Sequence, residues 1–233
     1  MRIGILSDVH ANLPALEAVL RAMEAERVDV RYCLGDTVGY GPYPNECVDL
    51  VRSQCELVLK GNHDSGLIGE TPVEDFNQYG LAAIEWSQKH VTDERKEFLR
   101  SLPFVDVRSE ITFAHASPLN PAEWMYVLTL RSARENFTAF STNLCFIGHT
   151  HVPVIINEDL TVSEALKPGR SIVNVGSVGQ PRDGNHDAAF GIYDTADGTY
   201  ALRRVSYDIK KTASAIKKAG LPDYLAKRLF QGV

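Results

Sequence analysis

Through the first sixty residues, short apolar runs alternate with stretches of helical period, and each run closes on glycine and polar side chains. Arg2-Ile3-Gly4-Ile5-Leu6 reads as a strand that ends in Ser7-Asp8-Val9-His10. Leu13, Leu16, Val19, Leu20 and Met23 then recur close to every 3.6 residues, which predicts a helix with one apolar face. Pro14 suits its first turn, next to a cap at Asn12 or Leu13. Residues 28–34 read as a second strand closing on Gly35-Asp36, followed by a loop over 37–44 rich in Gly, Tyr and Pro. A helix over 45–53 leads to a third strand over 56–59 and then to Gly61-Asn62-His63-Asp64, with Ser65-Gly66 as a turn signal. Strand, helix, strand, helix, strand predicts a parallel sheet with crossover helices. Such open sheets bind ligands at the carboxyl ends of their strands.

Residues 73–101 predict two helices broken near Val91-Thr92, the second capped by Thr92. Phe76, Tyr79, Ala83 and Trp86 read as core contacts, and His90 as a cation at a helix end. Beyond Pro103 the pattern shifts to hairpin strands over 105–107 and 110–113, closing on Ala114-His115. A helix over 131–140 and a strand over 144–147 follow, the latter ending in Gly148-His149-Thr150-His151. Short strands over 153–157, 160–164, 171–175, 188–194 and 199–206 predict an antiparallel or mixed second sheet. From Ile209 the chain reads as helix, stopped by Gly220 and resumed at Pro222. With no repeat, low-complexity tract or linker, a single domain over residues 1–233 is expected, two sheets packed together with helices outside.

Composition narrows the function. In 233 residues, 44% are hydrophobic and 23% charged, ordinary values for a soluble globular chain. A net charge of −6 argues against sequence-independent nucleic-acid binding, which needs a basic surface. The four cysteines (33, 47, 55 and 145) form no zinc or redox pair, and Cys33 and Cys145 read as buried thiols. The chain enters a strand at once, and no apolar run nears the ~20 residues of a membrane span. A cytoplasmic location with no membrane partner is the expectation.

Of the seven histidines, five (His10, His63, His115, His149 and His151) follow predicted strand ends, as do Asp8 and Asp36. Taken singly, each has a plainer reading: Asp8 as a helix cap, His10 as a solvated side chain, His149 and His151 as a polar turn. Together they form a set that independent core or surface histidines would not. Imidazole and carboxylate without thiolate suit zinc, manganese or iron. Two ions ~3.5–4 Å apart need a bridging anion, and a carboxylate is the natural one.

Asp8-x-His10, Gly35-Asp36, Gly61-Asn62-His63-Asp64, His115 and Gly148-His149-x-His151 together resemble the motif set of the calcineurin-like metallophosphoesterases. Gly176-Ser177-Val178-Gly179-Gln180-Pro181-Arg182-Asp183 is similar to the small bacterial and archaeal phosphodiesterase branch. The resemblance implies an α/β fold, a four-layer αββα sandwich of two mixed sheets face to face. It also implies two divalent metal ions, manganese first, with iron, zinc, nickel or cobalt as alternatives. Asp8, His10, Asp36 and His151 would hold one ion, and Asp36, Asn62, His115 and His149 the other. His63 would face the substrate with Asp64 orienting it, as general acid beside a metal-bridging hydroxide nucleophile. Ala11, where relatives often have glycine, is the one departure and should cost little. Arg182 is the candidate substrate-binding residue; the plainer reading is an exposed Arg in a Gly-rich turn, paired with Asp183 or with nothing.

The function expected from the resemblance is a phosphodiesterase on small or nucleotide-type phosphoesters. A phosphomonoesterase, a dinucleoside polyphosphate hydrolase and a protein phosphatase are the enzymatic alternatives. A scaffold or a metal-dependent ligand-binding module is the non-enzymatic one. The expected partner is a small phosphorylated substrate, and a homo-oligomer is compatible with the sequence. Residues 66–80 and 117–143 are expected to shape the pocket.

Overall fold

The computed structural model describes residues 1–74 and 76–233. Strand β1 (Arg2–Leu6) leads to helix α1 (Leu13–Ala25), β2 (Val30–Cys33), α2 (Pro44–Gln54) and β3 (Leu57–Val58). Three helices follow: α3 (Asn62–Leu67), α4 (Gln78–His90) and α5 (Asp93–Ser101). The hairpin β4 (Val105–Arg108) and β5 (Ile111–Ala114) comes next, then a 3-10 turn (Pro121–Glu123), α6 (Leu130–Asn136) and β6 (Leu144–Ile147). The remainder comprises β7 (Val154–Asn157), β8 (Val162–Ser163), β9 (Ser171–Asn174), β10 (Ala188–Asp194), β11 (Thr199–Val205), α7 (Ile209–Lys218) and α8 (Asp223–Arg228).

These strands form two mixed sheets, ordered β11-β10-β1-β2-β3 and β4-β5-β6-β9-β7-β8. Within them, β1, β2 and β3 run parallel, as do β5, β6 and β9. The side-chain period of two decides the layers. Ile3, Ile5, Tyr32 and Leu34 point at Phe113, Phe146 and Val173 of the other sheet. Leu6 and Cys33 point outward at Leu16, Val19 and Met23 of α1 and at Cys47, Val48 and Val51 of α2. Phe113 and Phe146 are fully buried with ring centroids 5.8 Å apart, each burial contributing roughly 1.5–3 kcal/mol. The expected four-layer α/β arrangement is present.

Four expectations are corrected. β10 and β11 do not join the second sheet; β10 returns to pair antiparallel with β1, from Arg2 opposite Asp194 to Ile5 opposite Gly191. Ser65-Gly66 is not a turn but lies inside α3, which starts directly after Gly61. Residues 73, 74, 76 and 77 are not helical; Asn77 caps α4 by accepting from Tyr79 N and Gly80 N at 3.0 Å. Asp75, within that expected helix, lies outside the described residues. The helix expected over 131–140 stops at Asn136. The break at Val91-Thr92 is where the pattern put it, although the Thr92 side chain makes no cap hydrogen bond.

The C-terminal segment closes over the start of α1. Thr212 Oγ1 donates to Asn12 Oδ1 at 2.9 Å, and Asn12 Nδ2 donates to Gly179 O at 2.9 Å. Leu225 and Leu229 of the last turns pack with Tyr40 and Ala83. Among the described residues, no helix is long and apolar enough to cross a membrane.

Candidate active site and metal centre

Every parallel strand except β9 ends in a candidate ligand, and the loops that carry them interlock. Asp8 N donates to Gly35 O at 3.0 Å, His10 N to Asp36 O at 2.9 Å, and Gly179 N to Asp8 O at 2.9 Å. Asp8, His10, Asp36, His149 and His151 all have left-handed backbones, with φ of 55°, 49°, 53°, 65° and 61°. Such strain costs of order 1–3 kcal/mol per residue and persists only where the surroundings over-determine it. Ala11 is left-handed too, at φ 50°. There the ~1–2 kcal/mol penalty of a Cβ is offset by about 0.8 kcal/mol of buried methyl and by glycine's larger unfolded-state entropy.

Three groups of ligand atoms converge, each within 4.8 Å: Asp8, His10 and His151; Asp36, His115 and His149; and His10, Asp36 and His63. In the first, Asp8 Oδ1 lies 3.2 Å from His151 Nε2 and 3.8 Å from His10 Nε2. In the second, Asp36 Oδ2 lies 3.4 Å from His115 Nε2, and the Asn62 Oδ1 lies 3.3 Å from the same nitrogen. Asp36 links the groups. Its Oδ1 accepts from His63 N at 2.8 Å, while Oδ2 faces His115 on one side and His10, at 3.6 Å, on the other. The third group is the overlap of the other two, with the His63 ring at its edge.

The donor set fits divalent cations. His10, His115 and His151 turn Nδ1 to the carbonyls of Val38, Leu34 and Gln180, at 3.1, 3.0 and 2.5 Å. A carbonyl only accepts, so those bonds assign the ring proton to Nδ1 and leave the Nε2 lone pair facing inward. His10 Nε2 and His151 Nε2 then oppose each other at 3.0 Å, two acceptors with nothing between them to share. Asp8 Oδ1 and His149 Nε2 are likewise buried without a hydrogen-bond partner. A cation in the first group would satisfy the first three atoms, and one in the second group His149 Nε2.

The protonation states agree in the main. Burial works to raise the Asp8 and Asp36 carboxyls, but the neighbouring histidines, His151 beside Asp8 and His115 beside Asp36, outweigh it and hold both well below the usual range. Burial holds His10 well down and takes His149 to about 3, so these two rings are neutral, while burial and Arg182 lower His151 against the pull of Asp8. His115 differs. Burial draws it down, but Asp36, with Asp8 and Asp64 behind it, pushes it up to about 9.

His63 projects from the first turn of α3. Its ring centroid lies 4.5 Å from Tyr40, 4.8 Å from His10 and 4.9 Å from Phe76, and its buried Nδ1 has no partner. Two glycines make room. A Cβ on Gly61 would run into Asp36, and one on Gly39, at φ +88°, into the His63 ring. Burial lowers His63 to about 4, with Asp36 opposing the shift and Arg182 adding to it.

Asp64 does not orient the His63 ring, contrary to expectation. Its Oδ1 accepts from Thr37 N and Val38 N at 3.0 and 3.2 Å, and its Oδ2 from Gly61 N at 3.0 Å. It ties the Asp36 loop to the start of α3. Burial and the nearby Asp36 raise its carboxyl to about 7 against those three donors. Nor is Arg182 paired with Asp183, which bonds Arg204 instead. Arg182 is half-buried, donates from Nη2 to Gln180 Oε1 at 2.8 Å, and lies over the Tyr40 ring at 5.7 Å.

The pocket walls come largely from the segments 66–80 and 117–143, as expected, but the side chains that form them were not identified from sequence. A cavity of about 330 Å3 opens beside Asn62, His63 and His149, lined by Tyr40, Phe76, Trp124 and Tyr126. Phe76 read as core, Trp124 and Tyr126 fell within the 117–143 segment as core or pocket wall, and Tyr40 was only part of a Gly-Tyr-Pro loop. Their aromatic character was visible, but not the direction the loops give it. A larger cavity, about 540 Å3, lies at α7 and α8, away from this chemistry.

The profile of the calcineurin-like phosphoesterase superfamily domain matches residues 1–198. An uncharacterised protein of Methanocaldococcus jannaschii is 39% identical, over 99% of this chain and 98% of its own. The crystal structure of a metallophosphoesterase from Sphaerobacter thermophilus superposes with a TM-score of 0.91 at 43% identity, covering 100% of this chain and 99% of that one. A hypothetical protein from Pyrococcus horikoshii shares the fold at a TM-score of 0.84 and 22% identity, covering 100% of this chain and 98% of that one.

Proposed function

The chain belongs to the calcineurin-like phosphoesterase superfamily and is a metal-dependent phosphoester hydrolase, and on that premise we propose a dinuclear phosphodiesterase acting on small or nucleotide-type phosphoesters. The observation that carries the dinuclear reading is Asp36. One carboxylate has its Oδ2 between His115 and His10, members of two different ligand groups. Asp8, His10, Asp36 and His151 would hold one ion, and Asp36, Asn62, His115 and His149 the other. We take residues 1–233 to act as one domain, because Thr212 and Tyr207 bond the Asn12 cap beside the site.

Divalent ions held there, manganese first, supply Lewis acidity toward the phosphoryl oxygens and acidify water near neutral pH. The remaining work falls to the chain. Interlocked strand ends fix the donors before substrate arrives, so no reorganisation is needed during the reaction. His63 has an inward ring and is not needed in either ligand group, so it is the group free to protonate the leaving oxygen. Burial lowers the ring to about 4 in the free protein, and an anionic phosphoester beside it would work in the opposite direction, toward the charged form a general acid needs. Asp64 acts by holding the Asp36 loop and α3 together, not by touching the ring. Arg182, braced by Gln180 and Tyr40, would offer its planar fork to a non-bridging oxygen.

The test is a panel of chromogenic and nucleotide phosphoesters assayed with manganese. Diesters are expected to exceed their matched monoesters in kcat/KM. A preference for monoesters would overturn the diesterase reading and favour a phosphomonoesterase on the same site.

A further inference from the structure

The segment between β5 and α6 carries features that neither the core nor the metal ligands explain. Trp124 is left-handed at φ 55°, an outlier for a bulky side chain. It is held there by Nε1 donating to Thr71 Oγ1 at 3.0 Å and by Phe104, with ring centroids 5.6 Å apart. Tyr126 lies flat on the His149 ring, centroids 4.0 Å apart at 26°, yet it is 48% exposed. Phe76 and Tyr40, both against His63, also line the opening. The cavity between these walls thus begins at the candidate ligands and ends in aromatic faces.

Its charge decides what fits. Among the described lining residues, Glu123 is the one carboxylate, and no Lys or Arg contributes. A second phosphate or an acidic peptide would meet a like charge there. A neutral planar ring would meet aromatic faces, with Glu123 to accept from an amino group. Asn77 Oδ1 is taken by Tyr79 N and Gly80 N, which leaves its amide N–H groups as donors.

We propose that this cavity is a nucleobase subsite: a substrate with its phosphoryl group at the Asp36 centre lays a base among Trp124, Tyr126, Phe76 and Tyr40. The inference rests on the phosphoesterase reading for the placement of phosphate, but not for the stacking. Base–aromatic stacking of this kind supports about tenfold or more in affinity.

Two measurements test it. In the manganese-loaded enzyme hydrolysing bis-p-nitrophenyl phosphate, AMP and ribose 5-phosphate are compared as competitive inhibitors, since they differ only by the base. AMP should bind about tenfold or more tightly, and in Tyr126→Ala, at an exposed side chain, the ratio should shrink to within about twofold. Equal inhibition in the wild type, or an unchanged ratio in the variant, overturns the proposal. Independently, Trp86→Phe leaves Trp124 as the sole tryptophan of the two in the chain. Adenosine should quench its fluorescence in the metal-free protein while ribose does not. This readout needs neither metal nor turnover, so it decides the subsite even if no phosphoester is hydrolysed. Absence of quenching rejects the stack.

Discussion

His10 and His151, 141 residues apart in the chain, bring their Nε2 atoms to 3.0 Å of one another. Both rings are committed to carrying their proton on the far nitrogen, because backbone carbonyls accept there. Two inward lone pairs at that separation repel, and the metal-free protein bears that cost. Chelation should therefore lower thermal stability. An ion present at 100 to 1,000 times its Kd stabilises by about 2.7–4.1 kcal/mol, or roughly 5–15 °C in Tm for a chain of this size. A melting temperature indifferent to EDTA and to added manganese would remove the metal centre from the account.

Asp36→Asn keeps the shape and removes the charge that faces both ligand groups. Metal content after dialysis, measured by inductively coupled plasma mass spectrometry, should fall by more than one ion per chain. Asp8→Asn, whose orphaned oxygen serves one group, should cost about one. Equal losses in the two variants would count against a shared carboxylate.

His63→Ala should lower kcat roughly 10²–10⁴-fold for alkyl leaving groups, the range for general acid catalysis. Metal content should hold. The loss should shrink for nitrophenol, which departs without a proton. Gly39→Ala, whose Cβ would displace the same ring, should show the same leaving-group dependence. A uniform loss across leaving groups would mean that the imidazole positions the substrate instead.

The pH dependence of the metal-free protein follows from His115. Its folded value of about 9 lies above the ordinary 6.5, so protonation stabilises the folded state. That contribution is complete below pH 6.5 and disappears as pH rises through about 9. His63 and His149, at about 4 and 3, act in the opposite sense: their contribution is present above 6.5 and lost as pH falls through those values. In urea titrations without metal, His115→Gln should be less stable than wild type at pH 6, and the gap should narrow by pH 9. Metal uptake at pH 7 should release a proton from His115, visible with an indicator dye in weak buffer. A gap that does not change with pH would contradict the assignment.

The strands and their polar ends were legible because one pattern encodes both. Leu57-Val58-Leu59 needs burial and Asn62-His63 needs an edge, so the transition between them marks the end of the strand. What escaped depends on contacts distant in sequence. β10 reads as a strand, but only its register with β1 assigns it to the first sheet. The Asp64 carboxylate adjoins His63 in sequence, yet backbone N–H groups 26 and 27 residues away claim one of its oxygens. The left-handed conformations at Asp8, Asp36 and His149 are uncommon even for Asp and His, and the interlocked neighbouring loops hold them in place.

The antiparallel pairing of β1 with β10 has a consequence in time rather than in space. The first strand made cannot gain its β10 neighbour until residue 194 has been synthesised, nor its sheet the last strand until residue 205, and the Asn12 cap waits for Tyr207 and Thr212. Contacts of such sequence separation are slow to form. A nascent chain released early would carry every candidate ligand, since the last is His151, and still lack the frame that holds them. A chain terminated before β10 would therefore be expected to hold these histidines loosely, because the segments that frame the candidate ligands contribute none of them.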